Sequence, residues 1–399
     1  MGSCSNDIIW HPLFDKYRQS LVKTTEACDE YHLFSLLTAI GCFIGKTLCT
    51  PYGRKHHCNF MSVLVGDSAI SRKTTAQRLA TDLLYRLAKK ANKDIAMLSS
   101  LSSAEGLLRA LGAGPVDENR EGIPTLINVE EFATILRKGK QDSTSNLTPR
   151  LTELYDLPPR VTLPRVNNPI SVSDPYFCLL TGTTEPWLEN SLEEEEVLGG
   201  FCNRFLYCMG EPKGSISSPK EPNYSLQDEV IDTILEASKF WQQGHDWFVD
   251  LDSEADALWA DFYDDWRQKR TAGIQGVLRE RLPEYARKIA LVLAFLDKKT
   301  KIDLDSMITS LSITKYAEWS LDELFSAISL GGREEKCEKR MLAILGQKNP
   351  IRTREMQHLL SGYHYSAEIY HRAQVALERV QTIRCFTDAN GGKWLEFMP

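Results

Sequence analysis

The stretch SVLVGDSAISRKTTAQRLA, residues 62–80, decides the fold. An apolar run ending in Gly66 reads as a buried strand, a polar loop follows, and Lys73-Thr74-Thr75 opens a helical pattern that runs to about Ala91. Phosphate binding needs those parts in that order. A tight turn wraps backbone N–H groups round the phosphates, the helix N-terminus adds its positive end, a lysine reaches the terminal oxygens and a hydroxyl holds Mg²⁺. An ammonium about 4 Å from one phosphate charge contributes roughly 4 kcal/mol at an effective dielectric near 20. On this reading Gly66, Asp67, Ser68, Ala69, Ile70, Ser71, Arg72, Lys73, Thr74 and Thr75 form a nucleotide-binding loop for ATP and Mg²⁺. Two features depart from the usual Gly-x-x-x-x-Gly-Lys-Ser/Thr spacing: the loop is one residue longer, and Arg72 stands where the second glycine belongs. The plainer alternative is an ordinary polar strand–helix loop with an incidental lysine.

Around this stretch the chain alternates. Strand-like runs at DIAML (94–98), TLINV (125–129), PYFCLLTGT (175–183) and NRFLYCM (203–209) are separated by helical patterns, among them SSAEGLLRAL (102–111) and EEFATILRK (130–138). That alternation argues for an α/β fold, a parallel sheet covered by helices on both faces. Residues 7–50 read as helical. EPKGSISSPKEPNYS (211–225) reads as a linker, and 226–329 is mainly helical. The expected division is a helical leader over 1–58, a nucleotide-binding core over 59–215, a helical lid over 216–330 and a C-terminal domain over 333–399.

TLINVEEF (125–132) ends its apolar run in Glu130-Glu131. At the end of a buried strand beside a phosphate loop, Glu130 can join Thr74 in holding Mg²⁺ and Glu131 can polarise the attacking water. The alternative is a pair of glutamates that merely favour a helix N-terminus. The run 178–187 ends in Thr181, Thr183 and Thr184, and Thr183 is the candidate to sense a terminal phosphate, unless these hydroxyls only cap the next turn. Arg204 stands immediately before the last strand, where isolated arginines are ordinarily surface residues.

The order of these features resembles the AAA+ ATPases, particularly the minichromosome-maintenance and virus superfamily-three helicases. The chain looks more closely like an uncharacterised P-loop family of phages, plasmids and integrated elements, often fused or adjacent to primases (the YfjI-like group). The resemblance rests on SAISRKTTA (68–76), VEEFATIL (129–136), LTELYD (151–156) and GFCNRF (200–205), and covers residues 7–330. It implies that Arg204 serves as an arginine finger reaching a neighbour's γ-phosphate, and that Arg281 or Arg287 in VLRERLPEYARKIALVLAF (277–295) acts as a second sensor, with Arg281 the first candidate. It also implies a pore hairpin in RVTLPRVNNPISVSD (160–174), turning at Asn167-Asn168-Pro169, with Arg160 and Arg165 touching DNA. A hairpin that simply covers the sheet edge is the structural alternative.

The last segment has its own pattern. Three amphipathic runs (334–346, 352–362 and 366–380) precede TIRCF (382–386), a Gly-rich turn and KWLEFM (393–398), a winged-helix layout. Residues 333–399 carry 11 Lys and Arg against 8 Asp and Glu in a chain whose net charge is −7. Arg372 and Arg379 on the third helix and Lys393 on the wing are the candidate DNA contacts, with His371 and Gln374 in reach of bases. Winged helices also serve as protein-docking modules.

Composition narrows the classes. The chain has 399 residues, 42% hydrophobic and 25% charged, typical of a globular protein of two or three domains. The longest apolar candidate, Leu33 to Ile44, holds Ser35, Thr38 and Gly41, so neither a transmembrane helix nor a membrane partner is expected. MGSCSND lacks the layout of a secretory signal, and ten scattered cysteines without a Cys-x-x-Cys pair read as reduced thiols in a cytoplasmic protein. RKHHC (54–58) is not a metal motif, because adjacent side chains on a strand point to opposite faces. The leading expectation is an ATPase motor, a homo-oligomeric (hexameric) ring on DNA acting as the replicative helicase or initiator of a mobile element. The alternatives are a non-translocating DNA-binding nucleotide switch (a regulator or phage-defence ATPase) and a degenerate scaffold for a primase.

Overall fold

The computed structural model describes residues 7–101, 103–118, 120–139, 147–164, 169–192, 197, 199–241, 247–270, 274–327, 333–363, 365–389 and 391–398. Five short strands make its central sheet: β1 (Met61–Val65), β2 (Ala96–Leu98), β3 (Thr125–Val129), β4 (Phe177–Thr183) and β5 (Leu206–Met209). They pair in the order β5-β1-β4-β3-β2, and every pairing is parallel. β1 and β4 are buried along their whole length, as strands covered on both faces must be. The register sets Val65 beside Thr183 and Met209, and Val129 beside Thr181, so the carboxyl ends of four strands share one edge. From β1 the chain crosses to β2 at one end of the sheet, and from β4 it crosses to β5 at the other. Neighbouring strands whose connections diverge in this way open a crevice at their carboxyl ends.

The helix Lys73–Ala91 follows β1 and buries Ala76, Leu79, Ala80, Leu83, Leu84 and Leu87, the i, i+3, i+4 stripe of an amphipathic helix. The helix Asp29–Ile44 is instead buried nearly all round. It lies on the sheet: the Tyr176 hydroxyl donates to the Gly41 carbonyl at 2.8 Å, and the Thr38 and Ser62 hydroxyls are 2.8 Å apart. Helix Leu282–Leu296 is buried along its length as well.

The expected leader, core and lid therefore pack as one body. The chain divides into two compact units, Met1–Thr184 with Val197–Leu324, and Glu185–Glu196 with Phe325–Pro399. The segment after β4, expected within the core, packs with the C-terminal residues. Lys336 donates to the carbonyls of Glu189 and Leu192, and Arg340 pairs with Glu189 Oε2 at 2.9 Å.

In the second unit the helices Glu185–Ser191, Arg333–Gln347, Thr353–Ser361 and Ala367–Arg379 accompany an antiparallel sheet of Ile351–Arg352, Lys393–Phe397 and Ile383–Thr387, with Lys393–Phe397 in the middle. Its core gathers Cys337, Met341, Leu345, Met356, Leu377 and Leu395. In the first unit, Arg160–Leu163 and Ile170–Ser173 form an antiparallel pair that Gly114–Pro115 extends. The expected turn at Asn167-Asn168, and Arg165, lie outside the described residues. Among the described residues no helix is long and apolar enough to cross a membrane, and eight of nine free cysteines are buried.

Candidate functional site

The loop from Gly66 to Arg72 leaves β1 at the shared carboxyl edge. Gly66 is required by close approach: a Cβ there would lie 2.3 Å from the Tyr31 hydroxyl and 2.9 Å from Ser71 Cβ. Tyr31, on helix Asp29–Ile44, donates to the Val65 carbonyl at 2.5 Å and fixes the start of the loop. The turn closes on itself through Ser71 Oγ, which donates to the Asp67 carbonyl at 2.6 Å. Ala69 (φ +63°) and Arg72 (φ +55°) both adopt the left-handed conformation. Arg72 thus holds, at a cost of about 1–3 kcal/mol, a backbone shape that glycine takes freely. Its guanidinium reaches Glu26 through two contacts of 3.2 Å.

Arg72 is also the N-cap of helix Lys73–Ala91, and no side chain caps that helix and no acidic residue lies in its first turn. The first-turn N–H groups of such a helix are an anion-binding surface. Lys73 Nζ donates to the carbonyls of Gly66 (2.6 Å) and Asp67 (3.1 Å) and to Ser71 Oγ (3.2 Å), so the ammonium lies within the loop. Burial lowers its pKa, and the charges of Glu131 and Asp67 partly restore it.

The charge of Glu131 acts on this ammonium. Its Oε1 accepts from Thr183 Oγ1 at 2.9 Å and from the Ala133 N–H at 3.4 Å. Burial raises its pKa, and the Thr183 hydrogen bond, the Ala133 amide and Lys73 pull the other way. The Ala133 contact places this carboxylate at the start of helix Phe132–Gly139, and the Thr183 contact ties it to the end of β4. Glu130 is exposed on the wall of an open crevice of about 530 Å³ that Thr74, Thr75, Asn128 and Glu131 also line. Gly182 admits this approach: a Cβ there would stand 2.9 Å from Gln77 Nε2 and 3.6 Å from Lys73 Cβ.

The expected set from Gly66 to Thr75, with Glu130, Glu131 and Thr183, thus converges on one edge of the sheet. Free helix N–H groups, one ammonium, hydroxyls and two carboxylates suit a phosphate anion with a hard divalent cation. Among the described residues no group of three or more His, Cys, Asp and Glu is arranged to hold a metal. Mg²⁺ does not need one, because it uses one or two protein oxygens with substrate oxygens and water.

The arginines lie away from this edge. Leu206 of β5 pairs with Ser62 of β1, so Arg204 lies at the amino edge of the sheet, opposite the loop. It is 8% exposed, donates to the Gly200 carbonyl and pairs with Asp156 Oδ2 at 3.1 Å. Arg204 is therefore held inside its own unit and does not extend from it. Arg281, expected to contact nucleotide, joins the same cluster through Glu284 (2.8 Å) and Asp156 (3.5 Å). Arg54 completes the cluster on Asp156. Burial raises the Asp156 pKa, but the Arg54 hydrogen bond and the charges of Arg281 and Arg204 outweigh it and hold the carboxyl below its usual range. Arg287 is engaged elsewhere, by the Pro51 carbonyl at 2.6 Å.

Arg160 donates to the Val116 carbonyl (2.9 Å) and Ser171 Oγ (3.0 Å), stitching the hairpin to its neighbour. In the second unit Arg372, Arg379 and Lys393 are all exposed, and Arg372 pairs with Glu334 and Glu368. Sequence reasoning missed Tyr31, which no local signal marks, and Asp156, which was legible only as the end of LTELYD.

The sequence matches no protein-family model and no curated protein.

Proposed function

We propose that this chain binds and hydrolyses ATP with Mg²⁺ as a P-loop ATPase of AAA+ type, and assembles as a hexameric ring that moves on DNA as the helicase or initiator of a mobile element. The meeting of Lys73, Glu131 and Thr183 at the carboxyl ends of adjacent parallel strands carries this reading. Lys73 exchanges the loop carbonyls for β- and γ-phosphate oxygens, while the first-turn N–H groups of its helix bind the same phosphates. Thr74 and Glu130 would hold Mg²⁺, which when bound neutralises charge on the phosphate oxygens. Thr183 orients Glu131, and Glu131 accepts the proton of the attacking water.

Arg204, at the opposite edge, can meet a γ-phosphate only in a neighbouring subunit, and only after leaving Asp156. The second unit reads as a winged helix that offers Arg379 and Lys393 to DNA, and a primase is the expected protein partner. Lys73→Ala is expected to abolish saturable binding of a fluorescent ATP analogue, and the wild type to displace a labelled strand from a forked duplex. Wild-type protein without saturable binding overturns the proposal and leaves the scaffold.

The Asp156 latch on Arg204 and the arginine in place of a loop glycine favour a second reading, a nucleotide switch that binds DNA without translocating. ATP-dependent DNA binding without strand displacement would select it.

A further inference from the structure

Gln77 follows Lys73 by one helical turn, is 1% exposed, and neither atom of its amide hydrogen-bonds to a described residue. Leaving buried polar groups unpaired costs roughly 1–3 kcal/mol each, and leucine would fill the same space without that cost. The local architecture nevertheless accommodates the amide. Gly182 is bare where a Cβ would stand 2.9 Å from Gln77 Nε2 and 3.2 Å from the Glu130 carbonyl. Beside it, Asn128 has a second orphan: its Nδ2 donates to Thr81 Oγ1 at 3.0 Å, Thr81 donates to the Gln77 carbonyl at 2.9 Å, and Asn128 Oδ1 is buried without a partner. Gln77 and Asn128 both line the crevice that holds Thr74 and Glu130.

The orphans include two amide oxygens, which are acceptors. Water bound to a divalent cation turns its hydrogens outward and needs acceptors, and Mg²⁺ keeps several of its waters when a protein binds it. We infer that Gln77 and Asn128 form an outer amide pair that accepts hydrogen bonds from the water ligands of the divalent cation and so sets its position between Thr74 and Glu130. They are positioning residues, and the assignment rests on the nucleotide-site reading above. Outer-shell partners of this kind are worth roughly 10–100-fold in metal affinity.

The test uses the full chain, a fluorescent ATP analogue, and either Mg²⁺ or EDTA. Gln77→Leu and Asn128→Leu are expected to raise half-saturating Mg²⁺ by about tenfold or more while leaving affinity in EDTA unchanged. Each is expected to alter the paramagnetic resonance spectrum of bound Mn²⁺. Asn128→Asp, which keeps an acceptor, is expected to restore the metal response. Unchanged metal dependence in the leucine variants, or equal loss with and without metal, overturns the inference while the nucleotide site stands. Wild-type protein that binds no analogue in either buffer overturns both. Should Gln77→Leu lack a cooperative melt, Asn128→Leu decides alone.

Discussion

Thr183 Oγ1 donates to Glu131 Oε1 at 2.9 Å, joining the carboxyl ends of β4 and β3 across 52 residues of chain. A short β-hydroxyl holds a longer carboxylate whose charge also acts on Lys73, a residue that reached the same edge from β1. Neither glutamate nor threonine could be assigned its direction without the register that makes those strand ends neighbours.

Glu131→Gln is expected to bind ATP with near wild-type affinity and to lose turnover, measured by analogue titration and phosphate release. The variant also has a stability signature. Because burial raises the folded pKa of Glu131, its ionised form disfavours the fold above that pKa. The substitution should raise the melting temperature at pH 7, and the gain should fade as pH falls through the native pKa towards the ordinary carboxylate range near 4. Equal gains at pH 4 and pH 7 would contradict the assignment.

Gly66→Ala forces a methyl against Tyr31 and Ser71 and is expected to destabilise by about 1–3 kcal/mol in chemical denaturation. Tyr31→Phe removes the nearest atom, so the double variant should be more stable than the sum of the single losses. Strict additivity would mean that the two residues do not meet.

Asp156→Asn leaves three guanidiniums without their shared carboxylate. The native pKa of Asp156 is depressed, so its contribution is present above the unfolded value near 3.9 and is lost as pH falls through the native pKa. Melts from pH 7 to pH 2 should show the variant less stable than wild type at neutral pH and the gap closing in acid.

Arg204→Ala is expected to retain ATP binding and lose cooperative, DNA-stimulated hydrolysis. Mixing it with Glu131→Gln should restore some turnover, because each supplies what the other's shared site lacks. Full activity of the single variant rules out a shared site.

In the second unit, Arg379→Ala and Lys393→Ala should each weaken DNA binding and lower the slope of log affinity against log salt by roughly 1. Arg372→Ala should do less, since Glu334 and Glu368 already neutralise that guanidinium. Equal effects from all three would point to general charge.

The sequence by itself marked the central strands and the residues at their ends, but not the antiparallel strands Leu48–Tyr52 and Arg54–His56, which fall in the expected helical leader. Apolar runs marked all five central strands, Gly66 and Lys73 bracketed the loop, and Glu130-Glu131 and the threonines fell at strand ends, because burial and capping are local properties. Only the tertiary structure decided which ends meet. The order β5-β1-β4-β3-β2 sets the end of β4, with Thr183, between the ends of β1 and β3, and the parallel register leaves Arg204 at the far edge, on an Asp156 that Arg281 also approaches. It also buried Tyr31 against Gly66 and gave residues 185–196 to the C-terminal unit. Periodicity says which face of an element is buried, whereas the partner it is buried against depends on crossovers tens of residues long, and these leave no mark in the local pattern.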